Sequence, residues 1–504
     1  MTDNAIRDPQ TGCFDAAGAG GTLDEATRRR NRIALVLLLA ATFTVFLNET
    51  AMSVAIPDIQ ESLGVSASTG QWLTTAFALT MAVVIPITGW LLQVLSTRTL
   101  YIAAMTLFSI GTLIAAVSPV FGLLVVGRVV QASGTAVMMP LMMTTMLTVV
   151  PPQDRGRIMG RVSIVMSMAP AVGPAFSGLL LTVLPWAGLF WVMLPIALVM
   201  LVAGIAWIPN VSEQRKTPLD VPSVILSAIG FSALVYGLSS LGESAGEATA
   251  IPPVIPIVVG VVGLVAFVLR QVSLQKRDAA LLDLRTFRSS QFTMSLVMLA
   301  VGMLALFGTV ILIPQFVQNA LGQDASVVGL LLLPGGLLMG ALGPIVGRLY
   351  DKVGPRVLVV PGSIVISLAF WIMALTFGDG TPLWVVLASH IVLSLGLAFL
   401  FTPLFTTGLG SLTPKLYSHG SATVATLQQV AAAAGTALFV ALFAIGILST
   451  GATDLKHASP SEVAGGVHYA FLFGAGISMV VIVLAFFIRR PADQPGMEGA
   501  PAPH

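Results

Sequence analysis

A carboxylate and a guanidinium stand inside stretches that are otherwise apolar. Asn48 and Glu49 lie two thirds of the way along the run 33–56, and Arg128 lies within the run 121–148. An ionised side chain at the centre of a bilayer costs on the order of 3 kcal/mol on insertion scales, so such groups face a protein interior or water and carry proton or charge chemistry. A nearby cation favours ionised Glu49, whereas desolvation favours the protonated acid. A group pulled both ways switches with its access to water. His390 lies in another apolar run. It either relays protons near neutrality or is a hydrogen-bonded packing group. Asp58, just past Pro57, is a solvated acid or a reserve titrating site.

Other polar residues fall where a cavity would need them. Arg128, Gln131, Thr135, Met138, Met139 and Met142 share one side of a helix. Methionine is flexible and polarizable, so this stripe fits either a cavity for varied apolar molecules or ordinary packing. Gln315, Gln318 and Asn319 close a further run, and Gln428 and Gln429 lie within another. These fit a polar cavity lining or, for the first three, a plain interfacial helix end. There is no Gly-rich phosphate loop with Lys-Ser/Thr and no His-Glu-x-x-His pair, and the only cysteine is Cys13. No metal, no cofactor and no nucleic-acid partner is expected.

The elements that hold these residues are apolar spans. Of the 504 residues, 56% are hydrophobic and 9% charged, against about 25% charged in a soluble domain. Fourteen runs are long enough to cross a bilayer, since 24 helical residues reach roughly 36 Å. With the N-terminus inside, all but two of the 24 Lys and Arg residues fall on the inner side, the exceptions being Lys456 and the intramembrane Arg128. The positive-inside rule therefore puts both termini in the cytoplasm. No cleavable signal peptide is evident, because the first run is too long for a signal core.

A faint repeat organises the spans. Gly89, Gln93, Ser96 and Arg98 follow span 2, and Gly347, Asp351, Gly354 and Arg356 follow span 10 with the same spacing, 258 residues later. Two six-span halves with two spans inserted between them give that offset. The chain then divides into a cytoplasmic tail (1–32), an N-terminal six-helix bundle (33–208), two inserted helices with their linker (209–291), a C-terminal six-helix bundle (292–489) and a second cytoplasmic tail (490–504). Facing repeats around a midplane site are a transporter architecture.

Four stretches carry a family resemblance. Ala169-Pro170-Ala171-Val172-Gly173-Pro174-Ala175-Phe176-Ser177-Gly178 resembles the antiporter signature of the major facilitator superfamily. Leu47-Asn48-Glu49-Thr50 with Val54-Ala55-Ile56-Pro57 is similar to the first-span signature of the fourteen-span drug:proton antiporters, in the lincosamide and multidrug exporter branch. Most members carry Asp where Asn48 stands. The move to Glu49 rotates the carboxylate about 100° round the helix. Arg128-Val129-Val130-Gln131-Ala132-Ser133-Gly134 resembles the family's Arg-x-x-Gln-Gly motif, with Ala132 for the first Gly. Gly347 to Arg356 matches the inner-loop motif.

The resemblance implies an all-α polytopic membrane protein of major facilitator fold, with fourteen transmembrane helices, in a bacterial inner membrane. It implies a monomeric, non-enzymatic exporter that exchanges an amphiphilic small molecule for protons among membrane lipids. Glu49, Asn48 and Arg128 would couple protons. Pro170, Gly173, Pro174 and Gly178 would shape the antiporter helix. Asp351, with Gly347, Gly354, Arg356 and Arg98, would latch the inward-closed state, and Gln93 would weaken the first copy of that latch. A lipid or lipid-precursor flippase on the same fold, and a transport-dead sensor or scaffold, are the alternatives.

Overall fold

The computed structural model describes residues 25–211, 214, 218–243, 251–451 and 458–491. Cys13 and Lys456 lie outside the described residues, as does most of each terminal tail. Every regular element among the described residues is helical, as lipid requires of a backbone that must satisfy its own hydrogen bonds. Fourteen helices are long and apolar enough to span: α1 (Glu25–Leu63), α2 (Trp72–Val94), α3 (Thr97–Ala116), α4 (Phe121–Val149), α5 (Arg155–Leu181), α6 (Ala187–Trp207), α7 (Val221–Glu243), α8 (Val254–Leu274), α9 (Ser290–Gln315), α10 (Ala325–Val353), α11 (Arg356–Thr376), α12 (Leu383–Gly410), α13 (Tyr417–Ser449) and α14 (Pro460–Ala485).

The helices overrun several of the apolar runs. α1 starts within the Arg-rich segment before Ile33 and continues through Pro57, because the polar flanks also favour helix once it is nucleated. α9 widens into a π turn over Phe316–Ala320, at the Gln315/Gln318/Asn319 cluster. Several starts are capped by a serine oxygen. Ser96 and Ser289 accept from Thr99 N and Phe292 N, and Ser459 forms a capping box with Glu462.

α1–α6 pack into one bundle and α9–α14 into another, while α7 and α8 pair with each other. Glycine permits that pairing, since a methyl group on Gly263 would stand 3.0 Å from Gly230 Cα. α7 then lies along α2 and α13, and Trp72 stacks on Tyr236 at 6.3 Å between ring centres. Asp220 caps α7 by accepting from Ser223 N at 3.0 Å and is held by Arg270 of α8 at 2.7 Å. Arg270 and the Ser223 bonds hold its carboxyl well below the usual range for aspartate.

The two bundles meet at one end, the end that carries Arg155, Arg157, Arg348, Lys352 and Arg490. There α5 runs against α10 and α2 against α13. A methyl on Gly347 would stand 2.9 Å from the Gly156 carbonyl carbon and 3.1 Å from Gly160 Cα, so the helices touch backbone to backbone. At the opposite end nothing lies within 4 Å of a methyl placed on Gly178 of α5 or Gly329 of α10.

Candidate functional site

Arg128 is the largest fully buried side chain, 1% exposed in α4. It donates through Nη1 to Gln131 Oε1 at 2.6 Å and through Nε to the Leu73 carbonyl at 3.4 Å. Its guanidinium carbon sits 4.1 Å from the centre of the Phe77 ring, a cation–π contact that desolvation strengthens. Gln131 Nε2 donates in turn to Thr112 Oγ1 at 2.8 Å, and Thr112 donates to the Phe108 carbonyl at 2.7 Å. The motif spacing of three residues is what lets Arg128 and Gln131 meet on one helix face. Leu73, Phe77 and Thr112 are partners that no motif marks.

Glu49 lies within electrostatic reach of Arg128, yet the ion pairs among the described residues do not include the two. Glu49 Oε2 and Asn48 Nδ2 are both buried without a hydrogen-bond partner. Each is costly to leave unpaired, about 1–3 kcal/mol for a neutral group and more for a charge. The site is therefore held poised, with a cation near the carboxylate and an open hydrogen-bonding position on it.

The antiporter-like stretch supports this site from α5. Thr50, next to Glu49, donates to the Ala169 carbonyl at 3.3 Å. A methyl on Gly173 would stand 3.0 Å from Thr50 Cβ and 3.1 Å from Ala51 N. α5 remains helical through both Pro170 and Pro174. Pro170 is exposed, and nothing lies within 4 Å of a methyl placed on Gly178.

The expected cavity residues separate. Gln131, Thr135, Met138 and Met142 are buried, Gln131 in the arginine network and both methionines in the main core. In this conformation the methionine stripe is packing, because α3 and its neighbours cover that side of α4. Gln315, Gln318 and Asn319 are exposed at the far end of α9, with Asn319 Nδ2 donating to Gln315 Oε1 at 2.7 Å. Gln428 and Gln429 are half-buried in the middle of α13. His390 is buried between α12 and α10, where a methyl on Gly335 would stand 2.6 Å from its Nε2. Its Nδ1 is buried without a hydrogen-bond partner. Asp58 is exposed.

At the basic end, Asp351 Oδ1 and Oδ2 accept from the backbone N–H groups of Gly156 and Arg157, each at 2.8 Å. A carboxylate on two free N–H groups at a helix start is a favoured anion position. Gly347 makes the approach possible, and Gly354, at φ +80°, closes α10 with a backbone only glycine adopts easily. Arg356 reaches Phe486, at 5.8 Å from its ring, and Arg98 donates to the Ile205 carbonyl at 2.5 Å. Both contacts stay within one bundle, so neither arginine crosses the interface. In the first copy Gln93 Nε2 meets His419 Nε2 at 2.7 Å across the halves. His419 was missed as an isolated residue, although the 258-residue offset carries the start of α5 onto the start of α13.

Comparison with known proteins agrees with this architecture. The profile of the Major Facilitator Superfamily matches residues 38–436. The lincomycin resistance protein LmrB of Bacillus subtilis is 37% identical over 460 residues, covering 90% of this chain and 95% of that protein. The multidrug export protein EmrB of Haemophilus influenzae is 30% identical over 408 residues, covering 81% and 79%. The crystal structure of the human organic anion transporter MFSD10 superposes with a TM-score of 0.65 over 90% of this chain and 99% of that one, at 13% identity. A xylose–proton symporter, XylE, gives 0.59 at 12% identity, covering 90% and 96%. Two six-helix bundles with an inserted pair, a buried carboxylate–arginine centre and these matches together make this chain a member of the Major Facilitator Superfamily, a multi-pass membrane transporter and not an enzyme.

Proposed function

We propose that this protein is a proton-coupled exporter of amphiphilic small molecules, working by alternating access in a bacterial inner membrane with its basic end and both termini in the cytoplasm. The reading is carried by one observation, the buried Glu49 with an unpartnered Oε2 in reach of Arg128. The relatives named for lincomycin resistance and multidrug export support a drug as cargo. The Lys and Arg bias supports the orientation.

In this cycle the docked basic ends correspond to a carrier closed to the cytoplasm and open outward. Glu49 takes a proton from the outer side, where Arg128 no longer has to neutralise it. The protonated carrier rocks to face inward, Glu49 releases its proton to the cytoplasm, and the cargo binds as the carboxylate becomes charged. Arg128 and the Gln131–Thr112 chain hold the charge in place while Gly173 lets α5 follow α1 closely. Gln428 and Gln429 offer hydrogen bonds to cargo between the halves.

The test is reconstitution of Glu49→Gln in proteoliposomes. Substrate-driven proton release is expected to vanish while the protein stays folded and inserted. Full proton release in that variant would falsify the assignment.

A further inference from the structure

A cavity lies at the basic end, apart from Glu49. Its volume is about 660 Å³, and its walls include Gln93, Arg277, Arg285, Arg288, Lys415 and His419. That volume is within the roughly 300–1,000 Å³ of small-molecule sites. The first bundle, the α8–α9 connection and the second bundle each contribute a wall.

The connection is built to hold its shape. Gln271, fully buried, accepts from Leu281 N and Leu282 N at 2.8 and 3.2 Å and donates to Ser223 Oγ at 2.7 Å. Asp283 and Asp278 also line the cavity, and Arg285 engages both. Its guanidinium is pushed further above the ordinary arginine range by those bonds, Asp283 first. Arg277, Arg288 and Lys415 have no acidic partner among the described residues. Among the described lining residues four cations stand against two carboxylates, an excess of two positive charges.

His419 stands on the wall contributed by the second bundle. Gln93 Nε2 lies 3.1 Å from the Gly89 carbonyl, which fixes that end of the amide as the NH₂. It therefore donates to His419 Nε2 at 2.7 Å. A neutral imidazole that accepts at Nε2 carries its proton on Nδ1. His419 is 6% exposed, and Nδ1 has no hydrogen-bond partner. The Leu281 carbonyl lies against the same ring as an acceptor.

We propose that this cavity binds a phosphoryl anion, with Arg277, Arg288 and Lys415 neutralising it beside His419. Arginine forks suit phosphate oxygens, and a lysine adds a point charge. A soluble phosphate ester and the headgroup of an anionic phospholipid present the same chemistry. The site stands on its own lining, independent of the transport cycle above.

Full-length protein would be titrated with inorganic pyrophosphate in detergent by calorimetry, and its retention of phosphatidylglycerol over phosphatidylcholine read by native mass spectrometry. Arg277→Gln/Arg288→Gln/Lys415→Gln changes only exposed side chains and is expected to weaken whichever ligand binds at least tenfold. Pyrophosphate binding identifies a soluble ester, and selective lipid retention without it identifies a headgroup. The proposal fails if wild type holds neither, if the triple variant binds as well as wild type, or if the control Arg29→Gln/Arg30→Gln/Arg32→Gln loses as much.

Discussion

Asp351 and Gly156 join the two bundles by a 2.8 Å hydrogen bond from a helix start to a carboxylate. The equivalent place in the other half is filled by Gln93 and His419, a neutral contact at 2.7 Å. A hydrogen bond to a charged group contributes about 1.5–3 kcal/mol and a neutral one about 0.5–1.5. The closure at the basic end is thus stronger on the α5–α10 side. Asp351→Asn is expected to raise thiol labelling of cysteines introduced between the basic ends, in a Cys13→Ser background, several-fold more than Gln93→Leu does. Equal labelling in both would count against the asymmetry.

The arginine network predicts graded losses. Thr112→Val leaves Gln131 Nε2 without its acceptor inside the bundle, which costs about 1–3 kcal/mol. Arg128→Lys keeps a charge but cannot reach both Gln131 and the Leu73 carbonyl while stacking on Phe77. Melting of the purified protein should fall for Thr112→Val with transport retained, whereas Arg128→Lys should lose coupled transport at near-normal yield. The reverse pattern would separate Arg128 from the coupling role.

Two glycines of the antiporter-like stretch should respond in opposite ways. Gly173→Ala collides with Thr50 and Ala51, while Gly178→Ala enters open space. Overpacking costs typically about 1–3 kcal/mol, and helix propensity favours Ala over Gly by up to about 1. Gly173→Ala should lower the melting temperature and be partly rescued by Thr50→Ala, whereas Gly178→Ala should be neutral or stabilising.

The inserted pair carries a pH signature. Asp220 has its folded-state ionisation depressed, chiefly by Arg270. Its contribution is fully present above the ordinary aspartate value of about 3.9. It is lost as pH falls below that value towards the depressed one. Protease protection of the α7–α8 pair should hold from neutrality to about pH 4 and fall below it. Asp220→Asn should show weaker protection at neutral pH and no further loss across that acid step.

Much of this was legible because hydrocarbon is an unforgiving solvent. Fourteen spans follow from length and apolarity, and Glu49 and Arg128 stand out by the cost of placing them there. Asp351 was found from a motif whose glycines permit its contact. Periodicity, however, states only that Met138 and Met142 share a face of α4; what covers that face depends on neighbouring helices far away in sequence. Arg98 and Arg356 sit in the motif, but a carbonyl and an aromatic ring within their own bundles reach them first. His419 reads as an ordinary interfacial histidine until Gln93 is brought opposite it. Loops were the weakest ground, since polar flanks such as residues 25–32 continue the helix beyond the membrane.

The packing of α7 along α2 and α13 gives the molecule a front and a back in the plane of the bilayer. The seam between the bundles would otherwise open to lipid on two flanks, and α7 stops one of them. The other flank is the α5–α10 contact, closed backbone to backbone at the basic end and open beyond it at Gly178 and Gly329. At its basic end that flank is fastened by the Asp351 carboxylate on the Gly156 and Arg157 N–H groups, so the two flanks are shut by unlike means, a charged hydrogen-bonded clasp on one and a packed helix on the other.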